Sequence, residues 1–136
     1  MDAIAMDHVN LRIPAAGRDR AVEFYGEKLG FEIELEDAFD AGDRPFFAVR
    51  LTPQSVLHLW PDPEFEPPQK QNFDHVAIHL DASIEAIRED LAAAGVESVD
   101  DREVFGAMGT ARSVYVQDPF GYLVELKARH SSVSDG

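Results

Sequence analysis

Four side chains in this 136-residue sequence have the chemistry to hold a divalent metal ion together: His8, His58, His75 and Glu125. Neutral imidazoles and a carboxylate suit Zn, Ni, Fe(II) or Mn, and the donor set alone does not choose among them. The chain contains no cysteine, which removes thiolate ligands, a thiolate nucleophile and disulfides. Spacing singles these four out. His8 and His58 stand 50 residues apart, as do His75 and Glu125, and the second pair is offset from the first by 67. A lone strand histidine is usually a satisfied surface or core group. Four metal-competent side chains at equivalent places of a duplicated segment call for a chemical reason.

The elements that must position them repeat at the same offset. D-H-V-N-L-R-I from Asp7 recurs as D-H-V-A-I-H-L from Asp74, and V-L-H-L-W from Val56 aligns with L-V-E-L-K from Leu123. Each half then carries one amphipathic helix. The first runs from about Arg18 to Leu29, with Ala21, Phe24, Tyr25 and Leu29 on one face and Gly30 as its stop. The second carries Ile84, Ile87, Leu91 and Ala94, with Asp81 or Ser83 able to cap it and Gly95 closing it. After each helix come three β-rich runs: 31–37, 45–52 and 55–60, then 96–104, 110–117 and 122–128. The expected fold class is α+β, two βαβββ modules forming a curled mixed sheet around a metal site.

Strand alternation puts His8, Asn10 and Arg12 on one face and Val9, Leu11 and Ile13 on the other. His75, Ala77 and His79 repeat the pattern, and Glu125 shares its face with Leu123 and Lys127. The apolar face packs under the helix, leaving the histidine face to line the site. Asn10, Arg12 and His79 are therefore candidate substrate contacts, whereas His130, near the C-terminus, is expected to take no part.

These patterns predict a single domain built from modules 6–60 and 73–128, a stiff proline-rich linker over 61–72, and a disordered tail over 129–136. Twenty-six acidic residues against twelve basic ones give a net charge of −14, which repels phosphate backbones and anionic lipid surfaces, so neither nucleic acid nor membrane is an expected partner. The N-terminus lacks a basic region followed by an apolar run, so a cytoplasmic location is expected. The scarcity of lysine beside so many acids suggests adaptation to high salt.

Three stretches carry a family resemblance over roughly Met6 to Ala128: D-H-V in each first strand, F-Y-G-E-K-L-G-F, and S-V-Y-V-Q-D-P-F-G-Y-L-V-E-L. Together they resemble the vicinal oxygen chelate superfamily, which includes glyoxalase I, fosfomycin-resistance enzymes, extradiol dioxygenases and bleomycin-binding proteins. Likeness to glyoxalase I implies metal ligands from the first and fourth strands of both modules, here His8, His58, His75 and Glu125. Bacterial members usually carry Glu where His58 stands, so Glu125 would be the proton-transferring base. Likeness to fosfomycin enzymes points to Ser113 and Tyr115, but their cationic cluster is missing, with only Arg12 and Arg112 to contribute. Likeness to extradiol dioxygenases implies Fe(II) on His8, His75 and Glu125, with His58 and Tyr115 handling protons.

The resemblance thus implies a metal-dependent lyase or isomerase whose small substrate chelates the ion through adjacent oxygens. A catechol-type dioxygenase and a metal-free binding protein are the alternatives. It also implies a homodimer, with Trp60, Phe65 and Phe73 covering a junction and loops 37–44 and 105–110 lining the pocket.

Overall fold

The computed structural model describes residues 1–130. It divides into two compact units, one from Met1 to Glu66 and one from Pro67 onward. In the first, β1 (His8–Pro14) leads into α1 (Arg18–Ala21), which continues in π-helical turns over Val22–Lys28. Then come β2 (Glu32–Glu34), α2 (Glu36–Asp40), β3 (Phe47–Thr52) and β4 (Ser55–Asp62). The second unit contains β5 (Val76–His79), α3 (Ile84–Ala94), β6 (Ser98–Gly106), β7 (Gly109–Gln117) and β8 (Leu123–Lys127).

Each unit forms one four-stranded mixed sheet, ordered β1-β4-β3-β2 and β5-β8-β7-β6. The first and last strands pair in parallel in both, and the other pairs are antiparallel. The duplication read from the sequence holds at the level of register. Asn10 lies opposite His58 in one sheet and Ala77 opposite Glu125 in the other, positions related by the same 67-residue offset.

Burial of one sheet face fixes which side chains remain for chemistry. In the first unit Leu11, Ile13, Phe47, Val49, Leu57 and Leu59 are almost fully buried, as are Ala21, Phe24 and Tyr25 of the helix. His8, Asn10, Arg12 and His58 alternate with them and point to the other side. In the second unit the buried face carries Ile78, Val114, Val116, Val124 and Leu126, with Ile87 and Leu91 supplied by α3. Ser83 caps α3 by accepting the Ala86 amide at 3.1 Å, and Gly95 ends it at φ +73°, a left-handed conformation that glycine adopts without strain.

Two stretches differ from expectation. The 31–37 run is a strand only over Glu32–Glu34. Leu35 turns to φ +66° and α2 begins. Acidic Glu36 and Asp37 suit the positive end of a helix, Phe39 packs on Phe47 with ring centroids 5.4 Å apart, and Arg18 binds both Glu36 and Asp40. These contacts offset a left-handed leucine. The helix over 18–29 forms as expected but widens, with the Leu29 amide donating to the Phe24 carbonyl at 2.9 Å. The wider turns let consecutive Phe24 and Tyr25 both be buried. Gly26 suits this close approach, because a Cβ would stand 3.0 Å from Ile33 Cγ1, and the isoleucine would have to shift to admit it. Of the expected tail 129–136, Arg129 is held by hydrogen bonds to Ala82 and Asp81, at 2.8 Å each, and His130 packs on His79, whereas 131–136 lie outside the described residues.

Arg112, a candidate cation for the site, belongs to the helix side of its sheet. Asp101 accepts two hydrogen bonds from Arg88, at 2.7 and 2.9 Å, and one from Arg112 at 2.8 Å. The bonds from Arg88, more than those from Arg112, hold the Asp101 carboxyl below the usual range against the opposing effect of burial. A folded value below the unfolded value of about 3.9 means stabilisation that is complete above that pH. It fades as pH falls through the folded value. Asp101→Asn is therefore expected to flatten the decline of the urea midpoint below about pH 4 and to leave the shape of the curve at higher pH unchanged.

Candidate metal centre

Glu125 sits in the middle of β8 and is only 2% exposed. The turn after β7 puts it in place. Asp118 accepts the amides of Phe120 and Tyr122 at 2.8 Å each, and Gly121 takes φ +98°. That turn sets the β7–β8 register, in which Tyr115 faces Glu125 and Ser113 faces Lys127. The D-P-F-G motif thus acts on the site through register.

Both Glu125 oxygens are engaged. Ser113 Oγ donates to Oε2 at 2.7 Å, the Tyr115 hydroxyl donates to Oε1 at 2.9 Å, and His75 Nε2 stands 3.0 Å from Oε1. An unpaired buried carboxylate would cost several kcal/mol, and these donors offset that cost. Burial, followed by the bond to Glu125, raises the Tyr115 phenol above its ordinary value, so it remains a donor at neutral pH.

The other nitrogen of His75 is also fixed, with Nδ1 2.6 Å from Asp74 Oδ2. This bond is the main reason the Asp74 carboxyl lies below the usual range. His8 repeats the arrangement, with Nδ1 2.7 Å from Asp7 Oδ2. In both D-H pairs the carboxylate orients the ring through Nδ1, the common way a protein presents histidine to a metal, and Nε2 of His75 points at Glu125. Strand alternation does not single out Asp7 and Asp74, although the repeated D-H dipeptide is a signal for them.

The His58 ring stacks on His8 with centroids 4.2 Å apart, and Phe46 lies 4.4 Å from His58 on another side. Burial, and then the neighbouring His8, lower the His58 pKa, so its ring is neutral and its lone pair available at pH 7. Arg12 lies 4.5 Å over the Trp60 ring and 3.9 Å from Asp62, while Asn10 is exposed. His79 is exposed and packs against His130 at 5.5 Å between ring centroids, so His130 is not remote from the candidate residues.

The structure therefore brings the candidates together as pairs, His8 with His58 and His75 with Glu125. Among the described residues no group of three His, Asp or Glu side chains is assembled to hold an ion. The donor chemistry of both pairs nevertheless suits a divalent metal. Two ligands about 2.1 Å from one ion at a tetrahedral angle stand about 3.4 Å apart, a little wider than a hydrogen-bonded ion pair. The His75 Nε2 to Glu125 Oε1 separation is 3.0 Å.

A further residue that the sequence pattern does not single out is Lys127. It is 6% exposed, two positions beyond Glu125 on the same strand face, and its Nζ donates across β7 to the Val104 carbonyl. Among the described residues no helix is long and apolar enough to cross a membrane.

Known proteins bear on this arrangement. No curated protein matches the chain. Among solved structures, a virulence protein from Salmonella typhimurium is similar at 23% identity and TM-score 0.71, covering 94% of this chain and 98% of that one. A glyoxalase family protein from Enterococcus faecalis is similar at 23% identity and TM-score 0.65, covering 90% and 96%. A lactoylglutathione lyase from Agrobacterium tumefaciens is similar at 18% identity and TM-score 0.66, covering 94% and 96%. At such identities the likeness shows a common glyoxalase-like α+β fold. The family model of the Glyoxalase/Bleomycin resistance protein/Dioxygenase superfamily matches residues 5–126, the span that contains both sheets short of the last residue of β8 and every candidate ligand. With nearly the whole chain matched and its two sheets built in equivalent register, this protein belongs to that superfamily.

Proposed function

We propose that the protein is a metal-dependent lyase or isomerase of the glyoxalase type, whose divalent-ion ligands are His8, His58, His75 and Glu125. The observation that supports it is the buried Glu125 carboxylate, held by Ser113, Tyr115 and His75. Bound there, the metal would act as a Lewis acid toward two adjacent substrate oxygens and stabilise the negative charge that develops on them.

Glu125 carries the proton between adjacent carbons, and Oε2 is the oxygen suited to hold it. Its partner Ser113 is a hydroxyl, which donates to an ionised carboxylate and by rotating accepts from a protonated one. Glu125 thus keeps a partner in both states. Tyr115 donates to Oε1 throughout, which makes it a positioning residue, and this favours the isomerase over a dioxygenase that would use Tyr115 as its acid. Asn10, Arg12 and His79 contact the substrate, and the assembly is a homodimer with two equivalent sites.

The test is turnover by the metal-loaded protein. We expect isomerisation of a methylglyoxal–thiol adduct, followed by loss of the hemithioacetal and appearance of the thioester. Oxygen uptake on a catechol panel with Fe(II), and no thioester, would assign the other chemistry.

A further inference from the structure

Lys127 is one of three lysines in the chain, and it is buried. An ammonium has three donors, and taking it out of water costs several kcal/mol unless it is paired. Among the described residues its single acceptor is the Val104 carbonyl, and no carboxylate pairs with it. Its surroundings supply two imidazoles, each able to donate from one nitrogen. His79 lies opposite Lys127 in the β5–β8 register, and His130 packs against His79. The Nε2 atom of His130 is buried without a hydrogen-bond partner. The hairpin strands below carry glycines: a Cβ on Gly106 would stand 3.3 Å from Lys127 Cε, and one on Gly109 would stand 3.8 Å from His130 Nε2.

An uncompensated cation beside an orphaned imidazole nitrogen is a site for an anion. We propose that Lys127, with His79 and His130, binds a carboxylate group of the substrate, so that the substrate class is a short oxygenated carboxylic acid. The identification of this anion as part of the substrate rests on Glu125 being in the proposed metal site. Lys127 and Glu125 share one face of β8, so the proposed carboxylate site lies on the same side of the sheet as Glu125.

A carboxylate suits this place better than a phosphate. The site has one ammonium, and the nearby guanidiniums are committed: Arg102 to Asp100 at 2.9 Å, Arg129 to Asp81 at 2.8 Å, and Arg112 to Asp101 on the other face. No bidentate guanidinium fork remains for a phosphate. Against a net charge of −14, an anion needs such a local cation to bind at all.

Calorimetric titration with malonate at fixed ionic strength tests this, on the protein as purified and again after chelator treatment. We expect malonate to bind wild type, Lys127→Gln to weaken it about tenfold or more, and Lys127→Arg to restore most of the affinity. Inorganic phosphate is expected to bind more weakly, and neutral malonamide not at all. Equal malonate affinity in Lys127→Gln and wild type, no malonate binding to wild type, or tighter phosphate than malonate would overturn the proposal. Should Lys127→Gln not fold, His130→Ala decides in its place, with unchanged malonate affinity again the contrary result. Lys127-dependent malonate binding in a protein that takes up no metal would sink the metal reading alone. Metal uptake with malonate binding indifferent to Lys127 would sink this one alone.

Discussion

Glu125→Gln is expected to lower turnover by roughly 10²–10⁴-fold, the contribution of a positioned proton carrier, with the fold retained. The amide keeps the shape of the carboxylate and an oxygen that accepts from Ser113 or Tyr115. It cannot take up a proton, and it replaces one acceptor with a donor that faces another donor. Glu125→Ala goes further and leaves the Ser113 and Tyr115 hydroxyls buried without their acceptor, each at a cost of about 1–3 kcal/mol. The two variants separate chemistry from stability when kcat is read beside a thermal melt. A Gln variant with wild-type kcat would remove Glu125 from the reaction.

The largest effect on stability is expected at Leu57, which is 0% exposed and lies on β4, the strand between β1 and β3. Leu57→Ala removes buried methyl groups and leaves a cavity, at a cost of about 2–5 kcal/mol. That is a large share of the roughly 5–15 kcal/mol typical of a whole domain. The urea midpoint should fall accordingly. His58→Ala, one residue along on the opposite face, should move that midpoint far less, because its side chain is outside the core. Equal midpoints for the two variants would mean that the face assignment of β4 is wrong.

That face assignment is legible in the amino-acid pattern alone, because a period-two alternation of apolar residues can bury only one side of a sheet. The duplication is legible for the same reason, and the register matches it at Asn10 with His58 and Ala77 with Glu125. What the pattern does not carry are local contacts. Nothing in E-I-E-L-E-D says that Leu35 will turn left-handed, because the helix that follows is held by Arg18 and Phe47, which are distant in sequence. The close approach of Gly26 to Ile33, across the turn from helix to strand, is likewise a packing contact that the pattern does not report.

At the site, strand alternation finds His8, His75 and Glu125 but not what orients them. Asp7 and Asp74 are visible as neighbours of the histidines, and their role follows from a hydrogen bond between adjacent side chains. Ser113 and Tyr115 come from resemblance, as substrate or acid/base residues, whereas both donate to Glu125. Alternation places Lys127 on the right face, but its burial depends on packing that composition cannot report.

Metal content is the most direct measurement of the central claim. Wild type, His58→Ala and His75→Ala would be reconstituted with Zn, Ni, Fe(II) and Mn in turn, freed of loose ions and analysed for bound metal. We expect about one ion per chain in wild type with at least one of these metals, and loss from both variants, since each removes a ligand. Retention in His58→Ala with loss in His75→Ala would make His58 an acid/base residue rather than a ligand. A wild type that retains no ion, or a His75→Ala variant that binds as tightly as wild type, would contradict the metal centre itself.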